Sequence, residues 1–205
     1  MVRKSAKAKT GEHRLRIIGG EWRGRRIEFA AVDGLRPTGD RIRETLFNWL
    51  MAVTPGAHCL DLFAGSGALS FEALSRGAES VTLIDQSAKV TNAIKTQLNL
   101  LNCNNAKIIN QNGLKWLEQQ PADPQQFDIV FLDPPFHKNL LQQSLLLLEE
   151  KKLLKPDAMI YIESEVELDT GLENIPPPNW VLHRLKITGQ VSYSLYKRES
   201  DISAP

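Results

Sequence analysis

From residue 58 onward, short apolar runs alternate with stretches whose apolar positions recur at helical spacing. His58-Cys59-Leu60-Asp61-Leu62-Phe63 reads as a strand, and Ala68 to Arg76 as a short helix closed by Gly77. Val81 to Asp85 reads as a second strand. Val90, Ala93, Ile94, Leu98 and Leu101 then place one apolar face on a helix over 88–101. A third strand is expected at 107–109 with a helix over 114–119, and a fourth strand at 128–132 with a helix over 140–150. A fifth strand is expected at 158–163. Residues 181–188 and 192–197 alternate across Gly189-Gln190, as in a hairpin. This order predicts an α/β fold, Rossmann-like: a mostly parallel twisted sheet with helices on both faces and an antiparallel C-terminal edge hairpin.

Ahead of this domain, 15–20 and 25–29 are short alternating segments joined by Glu21-Trp22-Arg23-Gly24, a small hairpin with Arg23, Arg25 and Arg26 at its turn. Ile42, Leu46, Phe47, Trp49 and Leu50 then mark a helix over 38–51, with Thr38 or Asp40 as its N-cap. The expected organisation is a disordered basic tail (1–13), a basic hairpin and helix (14–54), the α/β domain (55–199) and a short tail (200–205).

The net charge of +1 conceals an asymmetry: residues 1–50 hold 12 Lys+Arg against 6 Asp+Glu, and the remainder 13 against 18. Such a segment is either solvated surface or a grip on phosphates. No apolar run is long enough to span a bilayer, and the basic start leads into no hydrophobic segment, which does not fit a secretory signal. Cys59 and Cys103 have no metal-ligand spacing and read as core residues of a cytoplasmic protein. The four histidines are scattered, so no metal is expected.

In open parallel sheets, ligands bind beyond the carboxyl ends of the strands where strand order reverses, so the loops after residues 62, 84, 110 and 132 matter. The first is Asp61-Leu62-Phe63-Ala64-Gly65-Ser66-Gly67. Its glycines let a ligand approach the backbone, but it lacks the third glycine of the dinucleotide fingerprint and the Gly-Lys-Ser/Thr ending of a P-loop. Asp61 beside those glycines disfavours a pyrophosphate and suits a ligand bearing an ammonium group. Asp85, followed by Gln86, can accept both hydroxyls of a ribose, or can serve the next helix as a cap. Asn112-Gly113 can offer amides to an adenine edge, or can be simply a turn. Adenine, ribose and an amino-acid end without phosphate describe S-adenosylmethionine.

The fourth loop is Phe131-Leu132-Asp133-Pro134-Pro135-Phe136. Exocyclic amines of nucleobases are poor nucleophiles because their lone pair is delocalised into the ring. Asp133 and the carbonyl of Pro134 can accept hydrogen bonds from such an amine and help localise that pair. The two prolines hold these acceptors rigidly, and Phe136 can stack on the base.

These two loops resemble the cofactor loop and catalytic motif of class I amino-methyltransferases. More narrowly, Arg16-Ile17-Ile18-Gly19-Gly20, Arg23-Gly24-Arg25 and the run Arg36-Pro37-Thr38-Gly39-Asp40-Arg41-Ile42-Arg43-Glu44-Thr45-Leu46-Phe47-Asn48-Trp49-Leu50 resemble the RsmD family, bacterial enzymes that methylate N2 of one guanine in 16S ribosomal RNA. The resemblance runs from Leu15 to Lys197. It implies that Asp133, Pro134, Pro135 and Phe136 hold and activate the guanine. It implies cofactor contacts from Asp61, Phe63, Ala64, Gly65, Ser66, Gly67, Asp85, Gln86, Asn112, Gly113 and Thr38. It further implies RNA contacts from Arg23, Arg25, Arg26, Arg36 and Arg41, and a monomer acting on 16S rRNA in a 30S subunit or assembly intermediate. The alternatives are an adenine-N6 or cytosine-N4 amino-methyltransferase, for which the chain has little room for a target-recognition domain, and a nicotinamide-dependent oxidoreductase, against which Asp61 and the double proline count.

Overall fold

The computed structural model describes residues 13–32, 35, 37–135, 140–165 and 176–199. The tail over 1–12, Arg36, Phe136 and the tail over 200–205 lie outside them. Fourteen elements follow in order: β1 (Arg14–Arg16), β2 (Arg26–Glu28), α1 (Asp40–Trp49), β3 (His58–Asp61), α2 (Ala68–Ser75), β4 (Ser80–Asp85), α3 (Ala88–Leu100), β5 (Ala106–Asn110), α4 (Gly113–Glu118), β6 (Phe127–Leu132), α5 (Leu140–Glu150), β7 (Leu154–Glu165), β8 (Trp180–Thr188) and β9 (Val191–Arg198). β1 and β2 form a separate antiparallel hairpin. The other strands form one sheet in the order β5-β4-β3-β6-β7-β9-β8. β3 to β7 pair in parallel, whereas β9 pairs antiparallel to both β7 and β8.

Strand alternation divides the core between two faces. Cys59, Val81, Leu83, Ile129, Phe131, Met159, Tyr161, Tyr193 and Leu195 point to one face, where α1, α2, α3 and the hairpin pack. Leu60, Leu62, Ile84, Val130, Leu132, Ile160 and Ile162 point to the other, against α4 and α5. The near-continuous apolar runs of the central strands follow from burial on both sides.

Three expectations need correction. β7 begins at Leu154 rather than Ala158, although Pro156 interrupts the sequence pattern; a register shift opposite Phe127–Ile129 and a positive φ at Asp157 absorb the irregularity. Neither Thr38 nor Asp40 caps α1. Gly39 is the N-cap residue and no side chain bonds there, because the Thr38 hydroxyl and the Asp40 carboxylate are engaged elsewhere. Cys59 is buried as expected, but Cys103 is only half-buried.

The hairpin is joined tightly to the domain. The Glu21 N–H donates to the Ser75 carbonyl at 2.7 Å, the Trp22 N–H donates to Ser75 Oγ at 2.9 Å, and that hydroxyl donates to the Gly19 carbonyl at 2.6 Å. Gly20 sits at φ +76 with the Ser75 carbonyl where a Cβ would be, so only glycine allows this approach.

Beneath the hairpin lies a buried ion pair. Glu72 is fully buried in α2, and Arg43 of α1 is 1% exposed. Arg43 Nη1 donates to Glu72 Oε1 at 2.8 Å, and the same oxygen accepts from the Ile18 N–H at 2.6 Å. Arg43 Nη2 donates to the Arg16 carbonyl and to Asp40 Oδ1, and Nε donates to the Thr38 carbonyl at 3.0 Å. One guanidinium thus fixes the hairpin, α1 and α2 together.

Candidate active site

The strand order reverses between β3 and β6. Asp61 ends β3 opposite Phe131 of β6, two residues before Asp133. Along each strand the alternation that buries Cys59, Leu83 and Phe131 on the α1–α3 face also places Asp61, Asp85 and Asp133 on that face, at the carboxyl ends. Partners confirm it: Ser70 Oγ of α2 donates to Asp61 Oδ2 at 2.6 Å, and Thr38 Oγ1, at the start of α1, donates to Asp133 Oδ2 at 3.2 Å.

Asp61 is 2% exposed. Burial pushes its carboxyl up to about 7, with the Ser70 hydroxyl opposing the shift and the Asp85 charge adding to it. An ammonium group beside it would favour the ionised form. After Asp61 the chain turns through Phe63 and Ala64, whose N–H is held by the Ile84 carbonyl at 2.9 Å, to Gly65, Ser66 and Gly67. Gly67 has φ +75, and a Cβ there would come within 2.8 Å of the Phe71 ring, so a larger residue would be strained and would displace that ring.

Asp85 is half-buried at the end of β4. Its Oδ2 accepts the Gly65 N–H at 3.0 Å and its Oδ1 accepts the Ser87 N–H at 2.7 Å. Burial raises this carboxyl, against the two N–H donors. Each oxygen has two acceptor positions, so a ribose diol can be bound while the carboxylate still ties the glycine loop. Asp85 is not the cap of α3: Ser87 is the N-cap residue and no side chain bonds there, so of its two readings the ribose acceptor remains open. Gln86 is exposed beside it. Asn112 is the N-cap of α4, its Oδ1 accepting the Lys115 N–H at 3.1 Å, which leaves its amide NH₂ as a donor; Gly113 is buried behind it.

Asp133 follows the last residue of β6, with Pro134 buried and Pro135 exposed. Burial drives the Asp133 carboxyl well above the ordinary range, and the charges of Glu163 and Asp61 raise it further, against the Thr38 hydroxyl. Thr38, expected against the cofactor, thus meets the acid of the Asp-Pro-Pro motif. Arg23, Arg25, Arg26 and Arg41 are all exposed. Among the described residues no three His, Cys, Asp or Glu side chains converge as a metal site.

Sequence reasoning missed Arg43, Glu72 and Glu163. The signal for the first two was present. Arg43 lies three and four residues before Leu46 and Phe47, inside the buried stripe of α1, and Glu72 is the lone acid of an otherwise uncharged helix. A charge on each of two buried faces calls for its opposite.

The strand order, reversing between β3 and β6 and carrying one antiparallel strand beside β7, is that of the class I methyltransferases. Within that class the chain belongs to the RsmD family. The family described as conserved hypothetical protein 95 matches residues 15–197. The chain is 49% identical over 191 residues to ribosomal RNA small subunit methyltransferase D of Escherichia coli (strain K12), covering 93% of each chain. It is 50% identical over 185 residues to the protein of the same name from Haemophilus influenzae, covering 89% of this chain and 93% of that one. The solved structure of Escherichia coli yhhF superposes with a TM-score of 0.82 at 48% identity, covering 92% of this chain and 99% of that one.

Proposed function

We propose that this protein transfers a methyl group from S-adenosylmethionine to the N2 amine of one guanine in 16S ribosomal RNA, acting on a small subunit or its assembly intermediate in the cytoplasm. The observation that carries the reading is the placement of Asp133 and the buried Pro134 beside Asp61, at the point where strand order reverses. The relatives' name, ribosomal RNA small subunit methyltransferase D, supports the substrate class.

The donor set fits the cofactor. Asp61 is a buried carboxylate for an ammonium group, Asp85 an acceptor for ribose hydroxyls, and Asn112 and Gly113 amides for adenine, and this set lacks a cation for a phosphate. When bound, S-adenosylmethionine supplies an electrophilic methyl group. Asp133 and the Pro134 carbonyl accept the hydrogens of the target amine and turn its lone pair toward that methyl group. Thr38 holds one oxygen of Asp133, so the other faces the amine without reorganisation. Positioning and fixed electrostatics supply most of the acceleration. To bring its amine to Asp133 at the strand end, the base must be unpaired or flipped. Arg23, Arg25 and Arg26 on the hairpin, with Arg36 and Arg41, meet RNA phosphates.

The test is incubation with methyl-labelled S-adenosylmethionine and small subunits from cells lacking this enzyme, followed by mapping of the label. Label on a guanine N2 of 16S rRNA is expected. Label on adenine, cytosine or protein overturns the guanine assignment.

A further inference from the structure

The acid that sequence reasoning passed over, Glu163, lies beside the Asp-Pro-Pro motif. β6 and β7 are parallel neighbours in which Phe131 pairs with Tyr161 and Leu132 with Ile162. Asp133 and Glu163 each follow this last pair by one residue, and the Glu163 charge acts on Asp133. The faces agree, because Phe131 and Tyr161 both belong to the α1–α3 core, and Asp133 and Glu163 each follow by two residues. Glu163 is 7% exposed, and Tyr161 is fully buried beneath it with its hydroxyl donating to Glu163 Oε2 at 2.8 Å. No described residue donates to Glu163 Oε1 or to Asp133 Oδ1. Each carboxyl is thus held through one oxygen, by Tyr161 or by Thr38; burial raises both, and the donors of a docked base would favour the ionised, accepting form of the other oxygen.

Two neighbouring acceptors select a particular edge of a base. Guanine presents N1–H next to its N2 amine, two donors side by side. Adenine and cytosine present a bare ring nitrogen next to their amine, so a second carboxylate would face a lone pair. We infer that Glu163 is a specificity-determining residue that accepts the N1–H of the target guanine while Asp133 accepts its N2 amine. The inference rests on the guanine reading above and adds to it the group that distinguishes guanine from other amino-bearing bases. Tyr161 holds Glu163 through its Oε2 and leaves Oε1 to the base. A carboxylate that must give up solvent contact when a base docks loses free energy unless the base brings a donor, so the matching N1–H favours the right base.

The probe is 2-aminopurine, which keeps the N2 amine but has an unprotonated N1. Small subunits are reconstituted with guanine or 2-aminopurine at the methylated position, and kcat/KM is measured for each with wild type and Glu163→Gln. Wild type is expected to favour guanine by at least about tenfold, the worth of one buried hydrogen bond to a charged group. Glu163→Gln, whose amide can present either its oxygen or its NH₂, should bring that ratio near one. Cofactor affinity and Tm should change little. Glu163→Leu, which offers neither donor nor acceptor, should also lower the ratio, through loss on guanine alone. An unchanged ratio in the folded glutamine variant overturns the inference, as does a wild-type preference for 2-aminopurine, which would mean that Glu163 acts as a proton donor. If wild type places no methyl group on any guanine N2, the guanine reading itself falls; if it does so and the ratio is insensitive to residue 163, only the role of Glu163 falls.

Discussion

Arg43→Met would remove the guanidinium that joins the hairpin, α1 and α2, while keeping the length of its apolar stem. Glu72 would stay fully buried with Arg76 as its remaining cationic partner among the described residues. Breaking one partner out of a buried pair costs ~3–5 kcal/mol. Glu72 would retain the Ile18 N–H and the Arg76 Nε contact at 3.2 Å, which places the expected loss near the lower bound, about 3 kcal/mol. For a chain of this size that corresponds to a fall in Tm of roughly 6–12 °C. Adding Glu72→Gln removes the under-compensated buried acid while the amide oxygen still accepts from Ile18, so the double variant should recover about half of the loss. Urea denaturation of the four proteins in the cycle gives these energies directly. The variant should also turn over about tenfold more slowly at unchanged cofactor affinity, because the Thr38 carbonyl loses its Nε donor and the hydroxyl that holds Asp133 is less well placed. A loss below about 1 kcal/mol, or a double variant as unstable as the two singles summed, would refute the reasoning.

Asp133→Ala should lower kcat by a factor on the order of 10²–10³ with cofactor affinity nearly intact; near-normal turnover would remove Asp133 from the mechanism. Because the folded-state carboxyl of Asp61 lies at about 7, the folded protein binds more protons than the unfolded chain between its ordinary value of 3.8 and about 7. Stability contributed by this group therefore falls as pH rises through that window. Asp61→Asn should flatten the slope, seen in denaturation at stepped pH, and should also remove a rise in cofactor affinity as pH approaches 7, seen by calorimetry; a slope that survives the substitution assigns it to other groups. Alanine at Arg23 and Arg25 should weaken RNA binding and reduce its dependence on salt; an unchanged salt slope would make the hairpin purely structural.

Much of this architecture is legible in the chain because both faces of the sheet are buried and the helices between strands are periodic. Asp61, Asp85, Asn112 and Asp133 could be singled out as strand-end residues followed by turn signals, and the fold brings the first, second and last to one face. What stayed hidden were relations between elements. Periodicity shows that Arg43 and Glu72 are buried, not that they meet across α1 and α2. Glu163 closed the expected fifth strand, but no glycine, proline or amide turn signal follows it, and its meaning came only from the register of β7 against β6. The start of β7 was misplaced because Pro156 breaks the alternation locally, while the bulge that accommodates it has no signature in a single strand.

The bonds from Ser75 to Gly19, Glu21 and Trp22 have a consequence for how a target is chosen. α2 starts at the glycine loop and ends at those bonds, so the arginine-bearing hairpin stands at a set distance from the methyl-donor pocket, with α2 as the bar between them. Under the function proposed above, the protein behaves as a caliper. One jaw rests on the folded RNA surface, and the nucleotide that lies one jaw-width away is the one presented to Asp133. Sequence around the target need not be read at all, because the distance can serve as the address.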